Sequence, residues 1–220
     1  MQRPWISTNL AISADGKISA VSRRPSGWTS ADDHQRLREL RRGADALMVG
    51  RGTLTADQMT LTVSSDALNS GPPPLRCVVS RAGVIPPGHP LFTKPGGAIH
   101  LLITGPPGVA LPELPVGVTV HRQNLAGFLA TLATELGVAR LHCEGGGELI
   151  ASLAALDAID EFHLTVAGHT VFGGRLAPTA TGIPSEFLPA SLGFELTHFE
   201  PRADLGECFL SYRRQQAQTF

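Results

Sequence analysis

Short apolar runs recur from one end of this chain to the other, most of them separated by just enough sequence for a helix, and that alternation limits the fold more than any other feature. The segments 5–13 (WISTNLAIS), 46–50 (ALMVG), 75–80 (LRCVVS), 98–104 (AIHLLIT), 118–122 (VTVHR), 139–144 (ARLHCE), 160–168 (DEFHLTVAG), 194–200 (FELTHFE) and 208–214 (CFLSYRR) each read as a strand. Ser30, with Asp33 after it, resembles a capping box opening a helix that carries Leu37 and Leu40 inward and closes at Gly43. Asn124 is the N-cap of a stripe formed by Leu125, Phe128, Leu129, Leu132 and Leu136, which Gly137 ends; Leu149, Ile150, Leu153 and Leu156 make another. Such alternation predicts an α/β fold in three layers, a mostly parallel mixed sheet with helices on both faces. The last two strands are joined by the polar link EPRADLGE, which has no room for a helix, so they should form a C-terminal antiparallel hairpin. Pro and Gly gather at 71–74, 86–90, 95–97 and 105–108 and read as surface loops, so a single domain over 1–216 is expected.

Two strand ends run into glycine. In DALMVGRGTLTAD the strand meets Gly50-Arg51-Gly52-Thr53, and in ARLHCEGGGELIASLAAL a strand ending at Glu144 meets Gly145-Gly146-Gly147. Glycine lets backbone come close to a ligand, and a helix starting there points unpaired N–H groups at an anion. A tight strand-to-helix turn is the plainer reading of the first stretch. The second adds weight to a ligand, because a run of glycines costs conformational entropy that a turn alone does not require. In open α/β sheets, turns at the carboxyl ends of strands line the ligand crevice. GRGTLT has Thr55 where a dinucleotide fingerprint has its third glycine, and no acidic residue closes a second strand ~20 residues on, which argues against a plain Rossmann dehydrogenase.

Bulk properties exclude several classes. The net charge is −1, with Lys and Arg totalling 18 and spread along the chain, so there is no field for nucleic acid or an anionic membrane; the local cluster Arg36, Arg38, Arg41 and Arg42 is expected on a solvated helix face. No apolar run approaches a membrane span and no signal-peptide pattern opens the chain, which points to the cytoplasm. Cys77, Cys143 and Cys208 sit apart in strand-like runs and read as buried, inert thiols; the histidines show no metal-ligand spacing, so no metal is expected.

NLAISADGKIS, WTSADD, DALMVGRGTLTAD, LTV at 61–63, EGGGELIASL and IDEFHLTVAG, in that order, resemble the reductase family of riboflavin biosynthesis, which has the dihydrofolate-reductase-like fold. The resemblance implies NADPH-dependent reduction of a phosphoribosylaminopyrimidine of the 5-amino-6-(5-phosphoribosylamino)uracil type, the ribosyl portion being opened and reduced to a ribityl chain. It places Ala11, Gly50, Arg51, Thr53 and Asp57 beside the cofactor, with Gly145, Gly146, Gly147, Glu148 and Leu149, on to Ser152, wrapping its phosphates, and Ser80 or Arg81 where the adenosine 2′-phosphate is read. Lys17, Arg41, Leu61 and Glu144 match positions on the substrate side, Lys17 and Glu144 with catalytic roles. The family also implies a homodimer, covering the outer edge of the C-terminal hairpin.

The chain departs from that pattern in places. Ala56-Asp57-Gln58-Met59 stands where the family usually reads ADDP, Ser64 stands where an arginine that contacts substrate usually follows LTV, and His169 replaces a common proline ahead of the glycines of VFGGRLAPTATGIP. Losing that arginine points away from the usual phosphorylated substrate, towards a dihydropterin or another pyrimidine. A non-catalytic NADP-binding module is the third alternative. Trp28 either covers the nicotinamide end of the site or simply packs.

Overall fold

The computed structural model describes residues 2–23, 27–64, 71–106, 113–182 and 192–215. Pro107 and Gly108 of one expected loop, and Ile183 and Pro184 of another, lie outside the described residues. Two compact units form: the first from Met1–Trp5 and Arg38–His142, the second from Ile6–Leu37 and Cys143–Phe220.

The first unit holds β2 (Ala46–Gly50), α2 (Arg51–Ala56), β3 (Leu75–Ser80), α3 (Pro90–Thr93), β4 (Ile99–Ile103), β5 (Val118–Arg122), α4 (Leu125–Thr134) and most of β6 (Arg140–Cys143), with strand order β5-β4-β3-β2-β6. The pairs β2/β3, β3/β4 and β4/β5 are parallel. β2 and β4 are buried almost throughout, as continuous apolar runs in a parallel sheet should be. Leu47, Val49, Val78 and Leu101 meet Leu54, Leu61 and Leu91 in one core cluster. The Asp45 carboxylate accepts the Ala139 and Arg140 N–H groups at 2.9 and 2.8 Å and so fixes where β6 starts.

In the second unit β1 (Trp5–Ser13) pairs parallel with β7 (Glu161–Ala167), β7 pairs antiparallel with β9 (Glu207–Arg214), and β9 pairs antiparallel with β8 (Phe194–Arg202). The expected C-terminal hairpin is therefore present, and its link contains a single 3-10 turn, Ala203–Leu205, closed by Gly206 at φ 65°. α5 (Gly147–Ala155) follows the glycine run, burying Leu149, Ile150 and Leu153. Leu156 falls on its C-cap and is exposed, as is Leu136, which lies past the end of α4; neither joins the stripe expected for it.

α1 (Ala31–Arg42) begins in the second unit and ends in the first. Its start carries only half of the expected capping box: Ser30 Oγ accepts the Asp33 N–H at 3.1 Å, while the Ser30 N–H and hydroxyl both donate to the buried Glu207 carboxylate, at 2.8 and 2.5 Å. Asp33 is the residue this helix buries, accepting the Thr165 hydroxyl at 2.5 Å, and Leu37 and Leu40 are only half-buried, contrary to the expected inward stripe. The basic cluster divides as well. Arg36 leaves the solvated face for the second unit, donating to the Leu210 and Leu164 carbonyls at 2.6 and 3.4 Å and lying over the Phe209 ring. Burial holds its guanidinium below the usual arginine range.

Candidate active site

In the first unit, β2 ends at Gly50 in register with Val79 of β3, so the start of α2 lies beside Ser80 and Arg81. The N-cap Gly50 supplies no side-chain acceptor, which leaves the first N–H groups of this short helix to other partners. Arg51 and Gly52 are exposed, Thr53 and Asp57 half-buried. Ser80 is buried and its hydroxyl accepts the Gly83 N–H at 2.9 Å, closing its own turn; Arg81 is the exposed member of that pair.

After α2 the backbone is unusual. Gln58 and Leu61 both have positive φ, 50° and 52°. Met59 N–H bonds to the Leu54 carbonyl at 3.1 Å and Asp57 N–H to that of Thr53 at 3.0 Å, so Gln58 occupies a left-handed helix end that usually takes glycine. The Leu61 side chain is fully buried in the core cluster, contributing about 1.5–3 kcal/mol by its burial, which offsets the ~1–2 kcal/mol cost of a left-handed backbone. Leu61 therefore presents backbone, not side chain, to anything bound beside residues 60–64.

Thr60, Thr62, Val63 and Ser64 line a cavity of about 710 Å³ with Arg38, Arg41, Arg42 and Lys94. Arg41 Nη1 donates to the Thr62 carbonyl at 3.4 Å, and the hydroxyls of Thr60 and Thr62 are 2.8 Å apart. Ser64, where an arginine was missed, borders this cavity. Its surroundings are thus rich in cations, although Ser64 itself carries no charge. Sequence reasoning gave Lys94 no role, and nothing in TKPGG alone marks it.

In the second unit, the carboxyl ends of the strands gather Ala11, Lys17, Glu144 and the glycine run. Ser13 N–H bonds to the Lys17 carbonyl at 2.9 Å and the Ser13 hydroxyl donates to Asp15 at 2.5 Å. The Asp15 carboxylate also accepts the Phe172 and Gly173 N–H groups at 3.2 and 2.8 Å; with the Ser13 hydroxyl as chief cause, these hold it below the ordinary aspartate range. Lys17 forms a backbone bridge with Thr179, and Thr179 with Gly182. A Cβ on Gly147 would lie 2.3 Å from the Gly182 nitrogen, so the glycine run, the 179–182 turn and Lys17 form one stack. Gly145 has φ 85° and faces Leu10, next to Ala11. The peptide Gly145–Gly146 is cis.

Glu144 is buried at the end of β6, and Glu148 is exposed on the first turn of α5. The N-cap Gly146 offers no side-chain acceptor, although Leu149 N–H already bonds to the Gly146 carbonyl at 3.0 Å. An anion such as a cofactor phosphate fits such a helix start. Trp28 packs edge-to-face on Phe172, 4.9 Å between centroids. The cysteine expectation holds for Cys77 and Cys143, whose buried thiols are pushed up to about 12, while Cys208 is only half-buried. Among the described residues, no helix is long and apolar enough to cross a membrane.

Lys17, Glu144 and a glycine-started helix thus lie at strand ends of a mixed α/β fold. The family model for the RibD C-terminal domain matches residues 4–202, and the chain belongs to that family. It is 33% identical to the 2,5-diamino-6-ribosylamino-4(3H)-pyrimidinone 5′-phosphate reductase of Archaeoglobus fulgidus, the match covering 80% of this chain and 85% of that protein. It is 32% identical to the protein of the same name from Methanothermobacter thermautotrophicus, covering 80% and 83%. A diaminohydroxyphosphoribosylaminopyrimidine deaminase/5-amino-6-(5-phosphoribosylamino)uracil reductase from Thermotoga maritima has the same fold at a TM-score of 0.77 and 24% identity; the match covers 97% of this chain and 57% of that one.

Proposed function

We propose that this protein is an NADPH-dependent reductase that converts a phosphoribosylaminopyrimidine to its ribitylamino form in riboflavin biosynthesis. The observation that carries the reading is that relatives of 33% and 32% identity, matched over four-fifths of the chain, bear one and the same activity in their names. Because those names specify the 2,5-diamino compound, this undeaminated pyrimidine stands as a substrate beside its uracil counterpart.

When bound, NADPH supplies a hydride to C1′ of the sugar. The chain's own residues would do the rest: hold the pyrimidine and its sugar in line, exclude water, and deliver a proton to the sugar ring oxygen, which leaves C1′ as the C4′ hydroxyl. Lys17 Nζ would donate that proton or steady the opened sugar, and the Glu144 carboxylate would accept from the pyrimidine's N–H groups as a charge-assisted partner. Ala11, the Gly50–Thr53 turn, Asp57 and the Gly145–Leu149 segment would hold the cofactor, with Arg51 and Arg81 selecting its 2′-phosphate. Pure protein should bleach NADPH absorbance with the diamino or the uracil substrate, and no oxidation with either overturns the assignment. Lys17→Met should lower kcat by about 10²–10⁴ if the proton comes from Nζ.

The same reading places the protein in the cytoplasm as one reductase domain and as a homodimer. Support for the dimer comes from β8, the last strand of its run, whose Leu196 and Phe199 are 49% and 61% exposed. Light scattering tests it: a mass near the single-chain 23.2 kDa refutes the dimer.

A further inference from the structure

We infer that the cavity beside Ser64 is a phosphomonoester site in which Arg42 and Lys94 carry the charge of the arginine that this chain lacks. Three arginines come from one face of α1, since Arg38, Arg41 and Arg42 stand at i, i+3 and i+4. Like charges at that spacing repel. The helix C-terminus rewards cations in its last turn, and this would explain Arg41 and Arg42 without a ligand. It does not explain why Lys94, from a separate segment, faces the same cavity.

The turn that presents Lys94 is built on a second cation. Arg76 is 5% exposed, and its guanidinium donates to the carbonyls of Gly97 and Leu91, both at 2.8 Å, and of Lys94 itself at 3.2 Å. Among the described residues no carboxylate pairs with it. A Cβ on Gly96 would come within 3.0 Å of that guanidinium, so glycine at 96 lets the turn lie flat over the charge. Arg76 is thus a positioning residue for Lys94, and its buried, uncompensated charge adds to the field of the cavity. Among the described residues, neither Arg42 nor Lys94 has a carboxylate partner, and both are exposed. A gathering of cations that repel one another is relieved by an anion of high charge, and a phosphomonoester brings about −1.5 to −2 with three acceptor oxygens. The hydroxyl of Ser64 and those of Thr60 and Thr62 add neutral donors. About 710 Å³ is room for a sugar phosphate.

That phosphate has two sources, the 5′-phosphate of the pyrimidine substrate and the 2′-phosphate of NADPH; only this choice rests on the reductase reading. Calorimetric titration of the full chain with ribose 5-phosphate and, separately, with 2′-AMP distinguishes them. Losing one charged partner should weaken the seated phosphate about ten- to hundredfold. A loss of that size for ribose 5-phosphate in Lys94→Met and Arg42→Gln, with 2′-AMP unaffected, assigns the site to the substrate. The reverse pattern assigns it to the cofactor. Ser64→Arg added to Lys94→Met should then restore affinity. Unchanged affinities in variants that melt like the parent, or no binding of either probe by the parent, overturn the inference. With the phosphorylated substrate, KM should rise in both variants while kcat holds. Probe binding that depends on Lys94 without any NADPH oxidation would keep this site and sink the reductase reading; oxidation with indifferent Lys94 and Arg42 would do the opposite.

Discussion

Set side by side, the two glycine turns look alike as sequence and are built for different reasons. A Cβ on Gly52, in the first, would meet nothing within 4 Å. On Gly147, in the second, it would strike backbone of the 179–182 turn at 2.3 to 2.8 Å, and Gly145 needs a φ of 85°. The second turn is therefore glycine-rich because the chain packs on itself there, whatever else it binds. The first has no such internal demand, so its open glycine is the better evidence of a ligand brought close. A glycine run is thus ambiguous between packing and binding until the neighbours are known.

The sharpest way to break this contrast is Gly147→Ala. Backbone cannot retreat as a side chain can, so the change should cost about 1–3 kcal/mol, a fall of roughly 3–10 °C in Tm. An unchanged Tm would show that the 179–182 turn is not held against α5. Gly52→Ala should go the other way, raising stability by about 0.5–1 kcal/mol because alanine suits a helix interior with free space around it. If the first turn binds the cofactor through close backbone, the same variant should bind NADPH more weakly while melting higher; a variant that melts higher and binds unchanged would remove the ligand argument. Gln58→Gly, at the left-handed end of α2, should change stability by less than about 1 kcal/mol, relief of strain being partly cancelled by the freer unfolded chain.

The smallest effect belongs to the brace beside the second turn. Asp15 has its folded pKa below the ordinary aspartate value of 3.8, so its contribution is present above that value and is lost as pH falls through the folded pKa. Comparing the melting of Asp15→Asn with the parent should show a small deficit at neutral pH that fades at pH values below 3.8. A deficit that persists in acid would mean that the hydrogen bonds to Phe172 and Gly173 survive protonation.

Much of the architecture was legible in the chain. Each expected strand formed to within a few residues at either end, because a continuous apolar run such as ALMVG, or alternation such as WISTNLAIS, can satisfy its side chains in few other ways. Helix starts were legible where a side chain closes them, as Asn124 Oδ1 does by accepting the Gly127 N–H at 2.7 Å. The short helix α3 was not read from the sequence, its first residue Pro90 falling in an expected loop, since its cap is His89, whose Nδ1 accepts the Leu91 N–H at 3.1 Å, a role that histidine seldom advertises. Of the proposed site, Lys17 and Glu144 were named from motif order. Lys94 and Arg76 were not, because no local pattern connects TKPGG to an arginine on β3.

By itself, then, the sequence determined which segments are strands, the longer helices, the hairpin at the end, and the glycine turns at strand ends, since those follow from periodicity and backbone preference within a few residues. Tertiary structure decided the fate of the charges. Arg36 turned away to satisfy carbonyls of β7 and β9, while Arg38, Arg41 and Arg42 stayed with Lys94 around Ser64. Neighbouring arginines on one helix are equivalent in a linear reading. They become different only when distant segments supply partners for one and a shared cavity for the rest, because electrostatic energy depends on distances in space that the order of residues does not contain.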